Sequence, residues 1–115
     1  MSDSTPLLQQ RQEEIVEEFA YFEDWMEKYE YLIELGKELK PFDEADRTDD
    51  NIIRGCQSRV WLAAQRSPDG TLLFGADSDA IITRGLVALV IRALNNLPPE
   101  VIAGADLWFV QRIGL

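Results

Sequence analysis

An apolar stretch in the second half of the sequence constrains the fold more strongly than any other feature. Its apolar side chains, which cover most of the circumference of a helix, are Ile81, Ile82, Leu86, Val87, Leu89, Val90, Ile91 and Leu94. Thr83, Arg84 and Arg92 interrupt them. A helix that is apolar on nearly every side is stable in water only when other elements bury it. We therefore predict a buried central helix lying across a sheet, ended by the segment NNLPP at 95–99.

The sheet is predicted from a change of the hydrophobic period to two. Residues 60–65 (VWLAAQ) alternate between two faces in the pattern of a strand. The segment SPDG at 67–70 follows and is a strong turn signal, because Pro presets φ at the second position and Gly permits a left-handed exit. Residues 71–76 then form the partner strand. Residues 59–76 are therefore predicted to be an antiparallel hairpin.

The first half of the sequence predicts two amphipathic helices. The first begins with Thr5 as its N-cap and Pro6 as its first helical residue. Its apolar stripe comprises Leu8, Ile15, Phe19 and Phe22. The second begins at the capping-box pair Asp24 and Glu27 and is expected to stop at Gly36, before the segment KP at 40–41. Its stripe comprises Trp25, Tyr29, Leu32 and Ile33.

The remaining segments are shorter. Residues 41–54 are polar and acidic without a period, and we expect an exposed loop there. A short turn at 100–103 and a final segment around 108–110 complete the chain. Together these elements predict a single α+β domain over residues 1–115, with N-terminal helices, a short antiparallel sheet and a buried central helix.

The net charge of −10 is concentrated in the first half of the chain. Residues 1–50 contain 16 acids and 5 bases, whereas residues 51–115 contain 5 acids and 6 bases. An acidic body repels nucleic acid and anionic membranes, so neither is an expected partner. The acidic half is either a solvated helical face or a surface that steers a basic protein partner, and the sequence leaves both possibilities open.

The absence of histidine and the single cysteine exclude whole classes of site. Ser-His-Asp catalysis, Cys-His catalysis and His-based metal sites cannot form. One thiol cannot make an internal disulfide or hold an iron–sulfur cluster within one chain, and no DxDxDG calcium loop is present. We therefore expect no bound metal. One unpaired cysteine, without a signal peptide or membrane-length apolar run, fits a bacterial cytoplasm.

Cys56 is the candidate reactive group, although most lone cysteines are buried and inert. Gly55 precedes it and suits a sharp loop tip. Arg54 and Arg59 flank it with no acid between residues 51 and 66, and nearby positive charge lowers the pKa of a thiol. Without a resolving cysteine or a histidine base, such a thiol fits a carrier between proteins. An independent thiol enzyme such as a peroxidase is disfavoured.

Four segments resemble the SufE family, which also includes CsdE. They are KYEYLIELG at 28–36, GCQSRVW at 55–61, GADSDA at 75–80 and RGL at 84–86, in the family's order over roughly residues 10–110. The resemblance implies a fold similar to that of IscU. It also implies a protein that accepts sulfur as a persulfide on Cys56 and stimulates a cysteine desulfurase of the SufS or CsdA type. The sulfur would pass on to a downstream iron–sulfur scaffold, and the PLP would belong to the desulfurase.

The resemblance also suggests supporting roles for the residues around Cys56. Those expected to shape the Cys56 loop are Arg54, Gly55, Gln57, Ser58 and Arg59. Asp77 and Asp79 either cap the helix that follows or also support this loop. Arg84 is either a solvated helix charge or a contact for the loop or the partner.

Two further expectations concern the whole chain. Members of the family usually continue past the Trp-Phe segment into a C-terminal helix, so residues 1–115 are expected to be a SufE-like domain without it. As a sulfur carrier, the protein would be an accessory to another enzyme and not a self-sufficient enzyme. The alternative is a non-catalytic docking module that activates a desulfurase, with Cys56 incidental.

Overall fold

The computed structural model describes residues 5–53 and 58–113. Over these ranges the chain has five helices and a two-stranded antiparallel sheet, which confirms the predicted α+β class. The helices are α1 (Thr5–Ala20), α2 (Trp25–Lys37), α3 (Ile81–Leu94), α4 (Pro99–Ala103) and α5 (Phe109–Arg112). The strands are β1 (Val60–Arg66) and β2 (Leu72–Ser78). The predictions for Arg54, Gly55, Cys56 and Gln57 lie outside the described residues.

The central position predicted for α3 is confirmed, but its predicted burial is wrong at Ile81, the first residue of the helix, which is 61% exposed. This helix packs against α2, β2 and α1, and its buried face is formed by Gly85, Leu89 and Ala93. The core around it comprises Leu8, Ile15, Phe19, Leu32, Leu89, Ala93, Leu97, Phe109 and Ile113. Asn95 ends the helix as predicted, and its side-chain oxygen accepts a hydrogen bond from the N–H of Phe74 (2.8 Å). The end of α3 is therefore tied to β2.

Two glycines allow α2 and α3 to cross at very close range. A Cβ atom at Gly85 would lie 2.9 Å from the Cα of Leu32 and 2.7 Å from its carbonyl carbon. On the facing helix, a Cβ at Gly36 would lie 3.0 Å from the backbone nitrogen of Gly85. The prediction that Gly36 stops α2 is wrong, because Gly36 serves this crossing and the helix continues through Lys37.

The predicted start of α2 is confirmed, whereas half of its predicted apolar stripe is wrong. The Asp24 carboxylate accepts a hydrogen bond from the N–H of Glu27 (2.9 Å), as an N-cap does. Leu32 is fully buried, but Trp25 and Tyr29 remain 54% and 37% exposed. Their rings contact each other on the helix surface, with centroids 5.9 Å apart. Leu32 and Gly36 are the fully buried residues of α2, so the buried face of this helix is narrower than the apolar stripe in its sequence.

The first helix buries most of its predicted stripe. Leu8, Ile15 and Phe19 are at most 2% exposed, and Phe22 lies beyond the helix end and packs edge-on against Phe19. Thr5 is itself helical, so its predicted N-cap role is wrong. None of the helices in the described part of the chain is long and apolar enough to cross a membrane.

The predicted hairpin is confirmed and is longer than expected at its second strand. Gly70 has φ 88°, and the N–H of Ser67 donates to the carbonyl oxygen of Thr71 (2.8 Å), as the turn signal requires. The register pairs Val60 with Ser78, so β2 continues two residues past the predicted end. As a result, the ADSD motif begins inside the sheet and leads directly into α3.

Candidate functional site

Residues 54–57 are called the Cys56 segment below. Its N-terminal flank is held on the first strand. Between α2 and β1 the chain forms two 3₁₀ turns, Glu44–Asp46 and Asp49–Asn51. The N–H of Ile53 then donates to the carbonyl oxygen of Val60 (2.9 Å), and Ile52 forms an antiparallel bridge with Trp61. The last residue described before the segment is therefore fixed beside the first residue of β1.

The C-terminal flank is held by the residues that follow the second strand. The N–H of Arg59 donates to the Asp79 carboxylate (3.0 Å), and the N–H of Asp79 donates back to the Arg59 carbonyl oxygen (3.2 Å). The hydroxyl of Ser78 donates to the same carbonyl oxygen (2.9 Å). Three hydrogen bonds thus hold Arg59, three residues after Cys56, at the same end of the hairpin that holds Ile53.

The alternative in which Asp77 and Asp79 cap α3 is wrong. Ala80 occupies the N-cap position and makes no side-chain capping hydrogen bond. The hydroxyl of Ser78, in addition to its bond to Arg59, accepts a hydrogen bond from the N–H of Ala80 (3.2 Å). Asp79 lies one residue and Asp77 three residues before this N-cap position. Asp79 contacts the flank of the Cys56 segment, whereas Asp77 contacts two arginines.

We predict that Asp79→Ala loosens the C-terminal flank. The variant loses the charged acceptor of the Arg59 N–H, and we expect a loss of about 1 kcal/mol in the free energy of unfolding. Amide hydrogen exchange at Arg59 should accelerate at least about fivefold. Asp69→Ala is the matched control, because Asp69 accepts a hydrogen bond from Thr71 at the opposite end of the hairpin. Equal Arg59 exchange rates in Asp79→Ala and wild type would contradict the prediction.

A second set of contacts, the Arg47 cluster, joins the loop before β1 to the hairpin and α3. It comprises Phe42, Arg47, Trp61, Asp77 and Arg84. The Arg47 guanidinium donates to the Asp77 carboxylate (2.9 Å) and lies over the rings of Trp61 (4.7 Å to the centroid) and Phe42 (5.4 Å). Such cation–π contacts add to the attraction of the ion pair. The segment expected to be an exposed loop is therefore anchored at Arg47.

Arg84 completes this cluster from the first turns of α3. Its Nε lies 3.0 Å from a carboxylate oxygen of Asp77, at ion-pair distance but without the alignment of a hydrogen bond. Its terminal amino group donates to the carbonyl oxygen of Ser78 (3.2 Å). Arg84 is thus a partner of β2 as well as a partly exposed charge, and one carboxylate faces two guanidinium groups.

The pKa of Asp77 reflects this environment. Burial raises the pKa, but the hydrogen bond from Arg47, that from the N–H of Ser78 and the charges of Arg84 and Arg47 outweigh it. The pKa of Asp77 therefore lies below the usual value of 3.8. A carboxyl group with a lowered pKa in the folded state stabilises that state above its unfolded pKa. This stability is lost as the pH falls through the folded pKa.

We predict that Asp77→Asn weakens the acid dependence of stability. Wild type should lose the Asp77 contribution as the pH falls below the usual value of 3.8 and through the lowered pKa of the folded state, whereas the variant lacks it at every pH. The variant should be less stable at neutral pH, with the difference from wild type shrinking in acid. Urea unfolding at a series of pH values measures this, with Asp49→Asn as a control at an exposed turn position. A constant difference across the pH range would contradict the prediction.

The remaining predicted site residues are placed as follows. Ser58 is half-buried, Arg59 has an exposed side chain, and Arg84 belongs to the Arg47 cluster. Sequence reasoning missed Arg47, whose signal was its position as the only base in the acidic segment 41–50. In the part of the chain that the structure describes, no group of three or more His, Cys, Asp or Glu side chains is arranged to hold a metal ion.

Comparison with known proteins agrees with this arrangement of motifs. Residues 13–115 match the family model of the Fe-S metabolism associated domain, SufE. The chain is also 40% identical over 107 residues to an uncharacterized SufE-like protein of Rhizobium etli, an alignment that covers 90% of this chain and 72% of the relative. The family match spans the residues of the Cys56 segment, the ADSD motif at 76–79 and the helices α2 and α3. The chain therefore belongs to the SufE family and is associated with Fe–S metabolism.

Proposed function

We propose that the protein is a sulfur acceptor and carrier that serves a PLP-dependent cysteine desulfurase. Cys56 takes sulfur from the desulfurase as a persulfide, the carrier stimulates that enzyme, and the sulfur passes to an iron–sulfur scaffold. Membership of the SufE family supports this proposal. The observation that carries it is that the only cysteine lies between two flanks fastened to one end of the hairpin, at Ile53 and at Arg59.

The proposed step is a thiol exchange that needs no outside oxidant or reductant. The thiolate of Cys56 attacks the terminal sulfur of a persulfide on the desulfurase. A new S–S bond forms at Cys56, the S–S bond of the donor breaks, and the donor leaves as a thiolate. The persulfide proton stays with the transferred sulfur or exchanges with water. Total oxidation state is unchanged, because one persulfide is consumed and one is formed.

The residues around Cys56 have supporting roles in this proposal. The positive charges of Arg54 and Arg59 favour the thiolate, which is the nucleophilic form. Asp79 holds the C-terminal flank of the segment through Arg59. PLP belongs to the desulfurase, where the C–S bond of cysteine is cleaved, so the carrier itself needs no cofactor. A single thiol that must stay reduced fits a bacterial cytoplasm.

Mass spectrometry of the intact protein tests the proposal. The protein is incubated with a PLP-loaded cysteine desulfurase from the same organism and with cysteine, and then alkylated. The expected product carries one additional sulfur atom, and peptide mapping places it on Cys56. Omission of cysteine is the control, because no sulfur is then mobilised. An active desulfurase that binds the protein without adding sulfur to Cys56 would refute the carrier function.

A further inference from the structure

A groove beside the Arg47 cluster gathers positive charge in an otherwise acidic molecule. It has a volume of about 310 Å³ and lies between the C-terminal end of α2, the segment 39–47 and the start of α3. The residues that carry the argument are Lys37, Lys40, Glu44, Arg47, Asp77 and Arg84. Four of the chain's 11 basic residues line the groove against two acids, although the whole chain has a net charge of −10.

The two carboxylates in the groove are already engaged. Asp77 accepts from Arg47 (2.9 Å) and from the N–H of Ser78 (2.8 Å), and it also faces Arg84. Glu44 contacts Arg47 at 3.1 Å. Arg47 therefore has two acidic partners, while the single charge of Asp77 is divided between two arginines. This leaves an excess of positive charge at the Arg84 side of the groove.

The lysines at the rim add to this excess. Within the described residues Lys40 makes no ion pair, and Lys37 pairs only with Glu34 (3.3 Å), with both side chains about two-thirds exposed. An exposed pair of this kind contributes little and can exchange partners. The last carbonyl groups of α2 also border the rim. Two of them, those of Leu35 and Gly36, already accept hydrogen bonds from the N–H groups of residues 38 and 39.

The groove lies next to the two flanks of the segment that carries the thiol. Asp77 pairs with Trp61 in the hairpin, and the neighbouring pair, Val60 with Ser78, is the one that holds the flanks of the Cys56 segment. A group bound at Asp77 and Arg84 is therefore one residue pair from that end of the sheet. Phe42 forms an apolar wall of the groove, which strengthens electrostatic attraction by excluding water.

We propose that this groove receives an aspartate or glutamate side chain of the desulfurase, an inference that rests on the proposed function. The carboxylate binds between Lys40 and Arg84, which fixes how the enzyme docks beside Cys56. Charge complementarity supports this occupant, since the groove is positive and the acidic remainder of the surface repels other acidic patches. The contact sets the orientation and the rate of association more than it sets the total affinity.

Charge variants of Lys40 test the proposal, because this side chain is exposed and makes no ion pair with the residues that the structure describes. Binding of a cysteine desulfurase is measured by calorimetry at low ionic strength. Lys40→Gln should raise Kd about threefold and Lys40→Glu about tenfold, as expected for one exposed ion pair and its reversal. The effect should shrink as salt is added. Arg66→Gln and Arg66→Glu are matched controls with the same charge changes at the far end of the hairpin, and they should bind like wild type.

The outcomes separate this proposal from the carrier function. Unchanged Kd values for the Lys40 variants, with sulfur still found on Cys56, would refute the groove and leave the carrier intact. Weakened binding by the Lys40 variants, together with no sulfur on Cys56 of the wild-type protein, would support the groove and refute the carrier. Equal effects of the Lys40 and Arg66 variants would refute the groove in favour of general electrostatic attraction. Competition by inorganic phosphate but not by glutarate, at equal ionic strength, would also refute the carboxylate as occupant.

Discussion

Replacing Gly85 with alanine is expected to destabilise the protein by at least about 3 kcal/mol, or to prevent folding altogether. The added methyl group would lie 2.9 Å from the Cα of Leu32, 2.7 Å from its carbonyl carbon and closer still to its oxygen. These are backbone atoms of α2, so no side-chain rotation relieves the overlap. The two helices would have to separate, and both belong to the core that surrounds Leu89. Urea unfolding followed by circular dichroism measures the loss.

Alanine substitutions at two other glycines serve as comparisons for this prediction. A Cβ at Gly36 would lie 3.0 Å from the backbone nitrogen of Gly85 and 3.2 Å from two side-chain carbons of Arg84, so Gly36→Ala should cost less than Gly85→Ala. A Cβ at Gly104 meets only the oxygen of Glu100 at 3.6 Å, an ordinary contact. Gly104→Ala should be neutral or slightly stabilising, because it restricts the unfolded chain. A Gly85→Ala protein within about 1 kcal/mol of wild type would contradict the close crossing.

The main elements of the fold follow from local features of the sequence. The turn at residues 67–70 and the period-two pattern at residues 60–65 predict a hairpin, and the apolar circumference of α3 predicts its central position. The predicted end of α2 was wrong because Gly36 lies at the close crossing with α3 and does not cap its own helix. A glycine after an apolar helical stripe usually marks a C-cap. That Gly36 instead permits a close helix crossing becomes visible only when Gly85 of α3 is placed against it.

The exposure of Trp25 and Tyr29 has the same kind of cause. Helical spacing shows that these residues share a face, but their burial depends on how much of that face the neighbouring elements cover. The role of Cys56 stays a prediction, but the contact of Asp79 with the flank of its segment could be predicted, as one of two alternatives, because its motif is local. The Arg47 cluster could not, since it joins residues 30 positions apart, and nothing near Arg47 in sequence indicates Asp77.

Replacing Cys56 with serine has the largest expected effect on function. Serine has an oxygen where the reactive sulfur stood, and a hydroxyl group does not attack a persulfide as a thiolate does. We therefore expect no sulfur on the variant and no stimulation of the desulfurase above the rate of that enzyme alone. Both quantities are measured on the same samples, by intact mass and by sulfide or alanine release. The docking-module alternative predicts the opposite, namely full stimulation by Cys56→Ser.

Moving the thiol by two residues distinguishes chemistry from position. In Cys56→Ser/Ser58→Cys the protein keeps one thiol, but it lies next to Arg59, whose backbone is held by Ser78 and Asp79. We expect this variant to bind the desulfurase like wild type and to remain without stimulation, because its thiol is confined at the fastened flank. Ser58→Ala is the control for loss of the original hydroxyl and should stay active. Sulfur transfer by the shifted thiol would show that any thiol near this end of the hairpin suffices, and would contradict the specific role of Cys56.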